Sequence, residues 1–211
     1  MSKIQEKDKV TLVQWIDTYI EKSAIENQPD ISNYVGKLRQ QNPNISDIDL
    51  AKKIVHRKSF MNGLIGATTG VGGLITLPVT VPANLIITWK MQIYLALTIA
   101  YIFGHTRATT DLKTDVYLIL AGDSSKEALK RFGIEVGKAV TKKAIEKNIS
   151  RAIMKKIGNY FPQKIITKAG QKSMTSFVKM VPLIGAPIGY GFNYYGTKTL
   201  GKMAIKYYSG K

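Results

Sequence analysis

The chain has no cysteine and only two histidines among its 211 residues. The first absence excludes disulfides, thiolate catalysis and cysteine-based zinc sites. The second leaves His56 and His105 far apart, neither with a second ligand at metal spacing, so no metal site is expected. Strand patterns are few. No Gly-Lys-Ser/Thr follows Gly70-Val71-Gly72-Gly73 and no strand leads into it, so neither a phosphate loop nor a dinucleotide fingerprint is met, and no cofactor is expected. Met1 to Val10 is polar and charged, without the apolar core of a secretory leader, and neither end carries a lipidation signal. These features predict a protein retained in the cytoplasm, peripheral at the inner face of the membrane.

Acidic residues also run out. None follows Glu146, whereas eleven Lys and one Arg do. Residues 1–122 hold 13 basic and 10 acidic side chains; residues 123–211 hold 18 and 4. The net charge of +17 is therefore concentrated in the second half, a field that gathers phosphate-bearing partners and weakens with salt.

Charge of either sign is nearly missing from one further stretch. Between Lys58 and Arg107 only Lys90 is charged, and Gly63, Gly66, Gly70, Gly72, Gly73, Pro78 and Pro82 punctuate the run. Such a block has to leave water. The stretch is long enough to cross a bilayer, but its glycines, threonines and two interior prolines favour a buried helical core over an inserting hairpin. A conventional spanning helix ranks last. Gly66-xxx-Gly70 and Gly185-xxx-Gly189 match the small-xxx-small spacing that lets helices approach closely.

What is present reads as helix. Apolar residues recur at helical spacing along most of the chain, predicting an all-α fold: one helical domain with a glycine/proline-rich apolar hairpin at its centre. A first helix carries Val10, Val13, Ile16, Tyr19 and Ile20 on one face, and the segment from Glu26 to Asp30 breaks it. A second runs over Ile31 to Arg39. Ser46 and Asp49 resemble an N-cap with an acidic N3 residue. A long apolar helix restarts near Pro82 or Ala83 and ends at Gly104. Asp111 to Ala121 forms another, with Asp111, Lys113 and Asp115 giving it a wet face. Ser124 and Glu127 open a longer one, whose stripe runs through Leu129, Phe132, Val136, Val140, Ile145, Ile149, Ile153 and Ile157. A last helix covers Ile188 to Tyr208.

Two of these helices carry ladders of like charge. Lys143, Lys147, Arg151 and Lys155 lie four apart, flanked by Lys138, Lys142 and Lys156; Lys198, Lys202 and Lys206 repeat the spacing near the end. Like charges four apart cost an isolated helix a few tenths of a kcal/mol per pair, which an anionic partner would offset. These residues are the candidate anionic-lipid site, and Gly63, Gly66, Gly70, Gly73, Pro78, Pro82, Gly185 and Gly189 the candidate packing elements of the hairpin. Nucleic acid is the competing polyanion. Only five of the 31 basic residues are Arg and aromatics do not interleave with the ladders, which tilts the reading toward lipid. No catalytic residues are expected: helix capping accounts for Asp123, Lys126 and Glu127, and solvation for Asp111 and Asp115.

Three ordered blocks carry a family resemblance. The run Gly66-Ala67-Thr68-Thr69-Gly70-Val71-Gly72-Gly73-Leu74-Ile75-Thr76-Leu77-Pro78, with Pro82 beyond it, resembles the central signature of the EcsC protein family. Gly122-Asp123-Ser124-Ser125-Lys126-Glu127-Ala128-Leu129-Lys130 with Gly133-Ile134-Glu135-Val136-Gly137-Lys138 is similar to its second block. Val181-Pro182-Leu183-Ile184-Gly185 resembles the third. The blocks place an EcsC-like helical domain at 46–208 and an N-terminal helical extension at 1–45. The resemblance implies a helical fold and a loose link to membrane processes, and it brings no catalytic mechanism or cofactor.

The expectation is a non-enzymatic peripheral membrane protein that binds anionic lipid through Lys-rich helix faces, with an apolar hairpin that inserts or holds acyl chains. The alternatives are a nucleic-acid-binding basic module, or an adaptor that docks an acidic, transporter-linked membrane protein.

Overall fold

The computed structural model describes residues 6–71, 83–106, 110–122, 124–134, 140–148, 150, 153, 156, 160 and 185–210. Among them eight helices and no strand occur: α1 (Glu6–Glu26), α2 (Gln28–Gln41), α3 (Asp47–Val71), α4 (Ala83–Ile102), α5 (Thr110–Ala121), α6 (Ser124–Arg131), α7 (Lys142–Asn148) and α8 (Gly185–Ser209). The fold is all-α, as the apolar periodicity predicts.

Local chemistry sets the boundaries. Pro29 stands in the first turn of α2, where a missing N–H costs nothing. The Asp49 backbone N–H donates to Ser46 Oγ at 3.2 Å, the expected cap of α3. α4 stops where Gly104 takes φ +87 and the His105 N–H reaches back to the Ala100 carbonyl at 2.9 Å. That left-handed residue favours glycine.

α4 is the central helix. Leu95, Ala96, Leu97, Thr98, Ile99 and Ala100 are consecutive and all buried, so neighbours cover this part of the helix on every side. Fully burying a side chain of the Leu or Ile kind contributes about 1.5–3 kcal/mol. The part of the charge-poor run from Leu95 to Ala100 thus leaves water within protein. Ile16 and Ile20 of α1 and Ile31, Val35 and Leu38 of α2 join the same core. Among the described residues, no helix is long and apolar enough to cross a membrane.

α3 and α8 pack as an antiparallel pair. Val55 lies against Gly201, Asn62 against Thr197, and Gly66 against Gly189. A Cβ on Gly66 would collide with the Gly189 carbonyl oxygen, and one on Gly63 would sit 2.7 Å from the Tyr190 ring. The small-residue spacings of both helices thus meet, through Gly66 and Gly189. Gly73, Pro78 and Pro82, with the turn expected there, lie outside the described residues, and Gly70 falls within α3.

One expectation is overturned. A single helix does not run from Ser124 to Ile157. α6 ends at Arg131, Gly133 adopts φ +72, and the Ile134 N–H bonds back to the Leu129 carbonyl at 3.1 Å. Gly133 is a helix terminator.

Candidate functional site

The three helices α3, α4 and α8 share one direction of ends. Lys58 of α3 lies by Tyr94 of α4, Gln92 of α4 lies by Gly196 of α8, and Asn62 of α3 bonds Thr197 of α8. The last turns of α3 and the first turns of α4 and α8 therefore come together. Beyond Asp49, none of the three helices contains an acidic residue.

Along this unit the polarity inverts. In its body the inward positions are Leu50, Ala51, Ile54, Val55, Ile93, Ile99, Leu200 and Ala204, all buried. Toward the shared end the positions between the three helices become Ser59, Asn62, Thr88, Asn193 and Thr197, also buried, while Trp89 is buried on the side that meets Trp15 of α1. Asn62 donates its amide to Thr197 Oγ1 at 2.6 Å in that interior. The outward positions change the opposite way. Phe60 (48% exposed), Met61, Leu64, Ile87, Phe192 and Tyr195 (67%) face out; among the described residues the other exposed large apolar side chain, Ile25, lies on α1. Six bulky apolar side chains thus surround a polar and glycine-lined interior.

Just behind this end each helix presents one lysine beside a tyrosine side chain. Lys58 Nζ stands 4.6 Å from the Tyr94 centroid and 5.4 Å from that of Tyr34. Lys90 Nζ stands 5.5 Å from the Tyr19 ring, and Lys198 Nζ donates to the Tyr194 hydroxyl at 3.2 Å, 5.1 Å from the ring centroid. None of the three forms an ion pair among the described residues. Burial and the neighbouring Arg57 lower the Lys58 ammonium below its ordinary value. Tyr94 is raised by burial and then by Asp30, which makes no ion pair with Lys58. On α8 the aromatic surface continues toward the end: Tyr194 stacks on Tyr190 at 5.6 Å, and Tyr190 meets Phe60 edge-on at 6.2 Å.

The opposite end of the unit holds a polar cleft of about 250 Å³, lined by Gly104, His105, Thr106, Asp111, Leu112, Asp115, Lys142 and Glu146. Asp115 was expected on a wet face and is instead 1% exposed. Its carboxylate holds Lys142 Nζ at 2.9 Å and accepts the Tyr207 hydroxyl at 2.5 Å. Burial pushes Asp115 up to about 6 against the opposing pull of Lys142 and Tyr207. Burial alone would lower Lys142; Asp115 and Glu146 outweigh it and raise the ammonium. His105 packs on the Tyr208 ring at 4.9 Å and is lowered by burial and by Lys142. Lys113, also assigned to the wet face, bridges Asp17 at 3.2 Å and Glu21 at 2.7 Å, tying α5 to α1. Asp17 also accepts the Tyr117 hydroxyl. No group of three or more His, Asp or Glu side chains suited to a metal occurs among the described residues.

The basic ladders are placed unevenly. Lys143, Lys147, Lys156, Lys202 and Lys206 are exposed, whereas Lys198 is half-buried against Tyr194. Lys142 leaves the candidate surface: only 7% exposed, it is consumed by Asp115 and Glu146. Lys138, Arg151 and Lys155 lie outside the described residues. The ladder from Lys143 does not follow one helix, because α7 ends at Asn148 and Ser150 Oγ accepts the Ile153 N–H. Sequence reasoning missed Lys58 and Lys90, since their tyrosines come from other helices. The pair Tyr194 and Lys198, four apart on one helix, was legible.

The fold and the two ends define an all-helical protein with a three-helix unit that carries no acidic residue beyond the first turn of α3. The chain belongs to the EcsC protein family, whose model matches residues 2–210. That match begins ahead of residue 46, and the helices it adds contribute Ile16, Ile20, Ile31, Val35 and Leu38 to the common core. No curated protein and no solved structure matches the chain.

Proposed function

We propose that the protein binds anionic membranes peripherally, with the shared end of α3, α4 and α8 as its lipid-facing part. The observation that carries this reading is the polarity inversion. A helix end in water buries its apolar side chains; here Phe60, Met61, Leu64, Ile87, Phe192 and Tyr195 face out while Ser59, Asn62, Thr88, Asn193 and Thr197 face in. That is the arrangement suited to hydrocarbon, where small and hydroxyl- or amide-bearing residues join helices and apolar ones meet the lipid. An exposed apolar cluster of this kind marks an interaction surface.

Charge supplies the sign of the partner. The unit has no carboxylate beyond Asp49, and the exposed Lys143, Lys147, Lys202 and Lys206 add a longer-range attraction. Each surface lysine near an anionic bilayer contributes about 1 kcal/mol. Nucleic acid would use the charge but would have no use for the apolar end.

Co-sedimentation with vesicles tests the proposal. The protein is expected to pellet with phosphatidylglycerol-rich vesicles, to pellet less in high salt, and to stay in the supernatant with purely zwitterionic ones. Recovery in the supernatant with all compositions, together with salt-sensitive retention on DNA, would overturn it.

A further inference from the structure

Resting on that reading, we infer that Lys58, Lys90 and Lys198 form a collar that seats on lipid phosphates and so fixes how deep and how upright the three-helix end enters. Each helix of the unit contributes one member. Lys58 lies level with Tyr94, and the pairing of Gln92 with Gly196 carries that level across to Lys198. Lys90 is four residues from Tyr94, one turn or about 6 Å nearer the apolar end. The three ammonium groups therefore lie within about one helical turn of a common plane.

The order of side chains along the axis follows a bilayer's own profile. Beyond the collar stand Phe60, Leu64, Ile87, Tyr190 and Phe192; at the collar stand Tyr94 and Tyr194; behind it α8 carries Lys202 and Lys206. Aromatic rings with a polar tip favour the headgroup level, and lysines reach from there to phosphate. From Lys58 to Leu64 is about 9 Å along α3, close to the roughly 5–10 Å to which interfacial helices sink their apolar faces.

The tyrosine rings give the collar its definition. An ammonium held against a ring, or in Lys198 bonded to the Tyr194 hydroxyl, keeps to a narrow region, whereas a solvated lysine sweeps a wide one. None of the three spends its charge on a carboxylate among the described residues, so each is available to a phosphodiester. The collar thus differs from Lys142, which is neutralised in the cleft.

The absence of cysteine makes the test direct, because one introduced thiol takes one label. With phosphatidylglycerol-rich vesicles, a fluorophore at Leu64→Cys is expected to be quenched by acyl-chain spin labels, while one at Lys206→Cys is not. Lys58→Gln, Lys90→Gln and Lys198→Gln together should weaken vesicle binding roughly 100-fold. The equal charge change at Lys143, Lys147 and Lys206 should weaken it less than roughly tenfold, since those groups lie beyond a Debye length from the plane. Arginine at the three collar positions should retain binding.

Equal losses from the two triple variants would overturn the collar, as would a Leu64 label that stays in water on bound protein. Both results leave vesicle binding intact, so they are separable from failure of the wild type to bind, which defeats the underlying proposal. If the glutamine triple unfolds, the label depths, read on protein with all three lysines present, decide alone.

Discussion

The two ends of the α3–α4–α8 unit solve opposite problems with opposite side chains. At the cleft end, Asp115, Lys142 and Tyr207 satisfy one another in the interior, and the apolar mass of Leu95 to Ala100 lies behind them. At the other end the positions between the three helices are glycine, serine, threonine and asparagine, and apart from Trp89, covered by Trp15 of α1, the bulky apolar side chains of that end face out at least in part. The same three helices reach both ends, but at the first, α5 and α7 bring Asp115 and Lys142 to Tyr207 of α8. The first end is built to hold a fold in water; the second resembles a surface awaiting a less polar neighbour. The difference teaches that burial, read alone, does not tell core from interface: what matters is which chemistry is buried.

The comparison breaks most sharply at the cleft. Lys142→Met removes one partner of a buried pair and should cost about 3–5 kcal/mol at pH 8. Asp115 sets the pH dependence. Burial raises its folded value to about 6 from an ordinary 3.8, so the stability linked to its protonated form is full below about 4 and is lost as pH rises through about 6. The deficit of Lys142→Met should therefore shrink toward pH 4, where the carboxyl is neutral with or without lysine. Denaturant titrations at pH 4 and pH 8 measure it; a pH-independent deficit would place Asp115 in a wetter setting than the geometry gives.

The polar end should be less forgiving of size than of polarity. Gly66→Ala places a methyl against the Gly189 carbonyl, and about 1–3 kcal/mol of destabilisation is expected from thermal or denaturant unfolding. Gly191, with nothing near a would-be Cβ, should accept alanine with at most about 0.5 kcal/mol of change. An equal effect of the two would mean that α3 and α8 do not touch through Gly66 and Gly189.

Much of the fold was legible because its signals are local. Gly104 ends α4 and Ser46 caps α3 as their positions in the sequence indicate. Local periodicity fails where a distant partner decides. Lys142 reads as one more surface lysine until Asp115 is brought to it, and Asp115 reads as solvated until Tyr207 and Lys142 cover it. Gly133 lies inside an unbroken apolar stripe, and only its backbone angle shows that α6 stops there. The collar depended on pairing across helices for Lys58 and Lys90, as did the inversion, since Leu64 and Ile54 look alike until their neighbours are known.

The outward apolar side chains give the decisive comparison, because their loss should leave the folded protein nearly unchanged. Exposed Leu64, Phe60 and Phe192 replaced together by serine should alter unfolding stability by no more than about 1 kcal/mol. The affinity of that triple variant for phosphatidylglycerol-rich vesicles is the most direct measurement of the central claim. A drop of roughly 100-fold at preserved stability is expected; vesicle affinity equal to that of the wild type would contradict it.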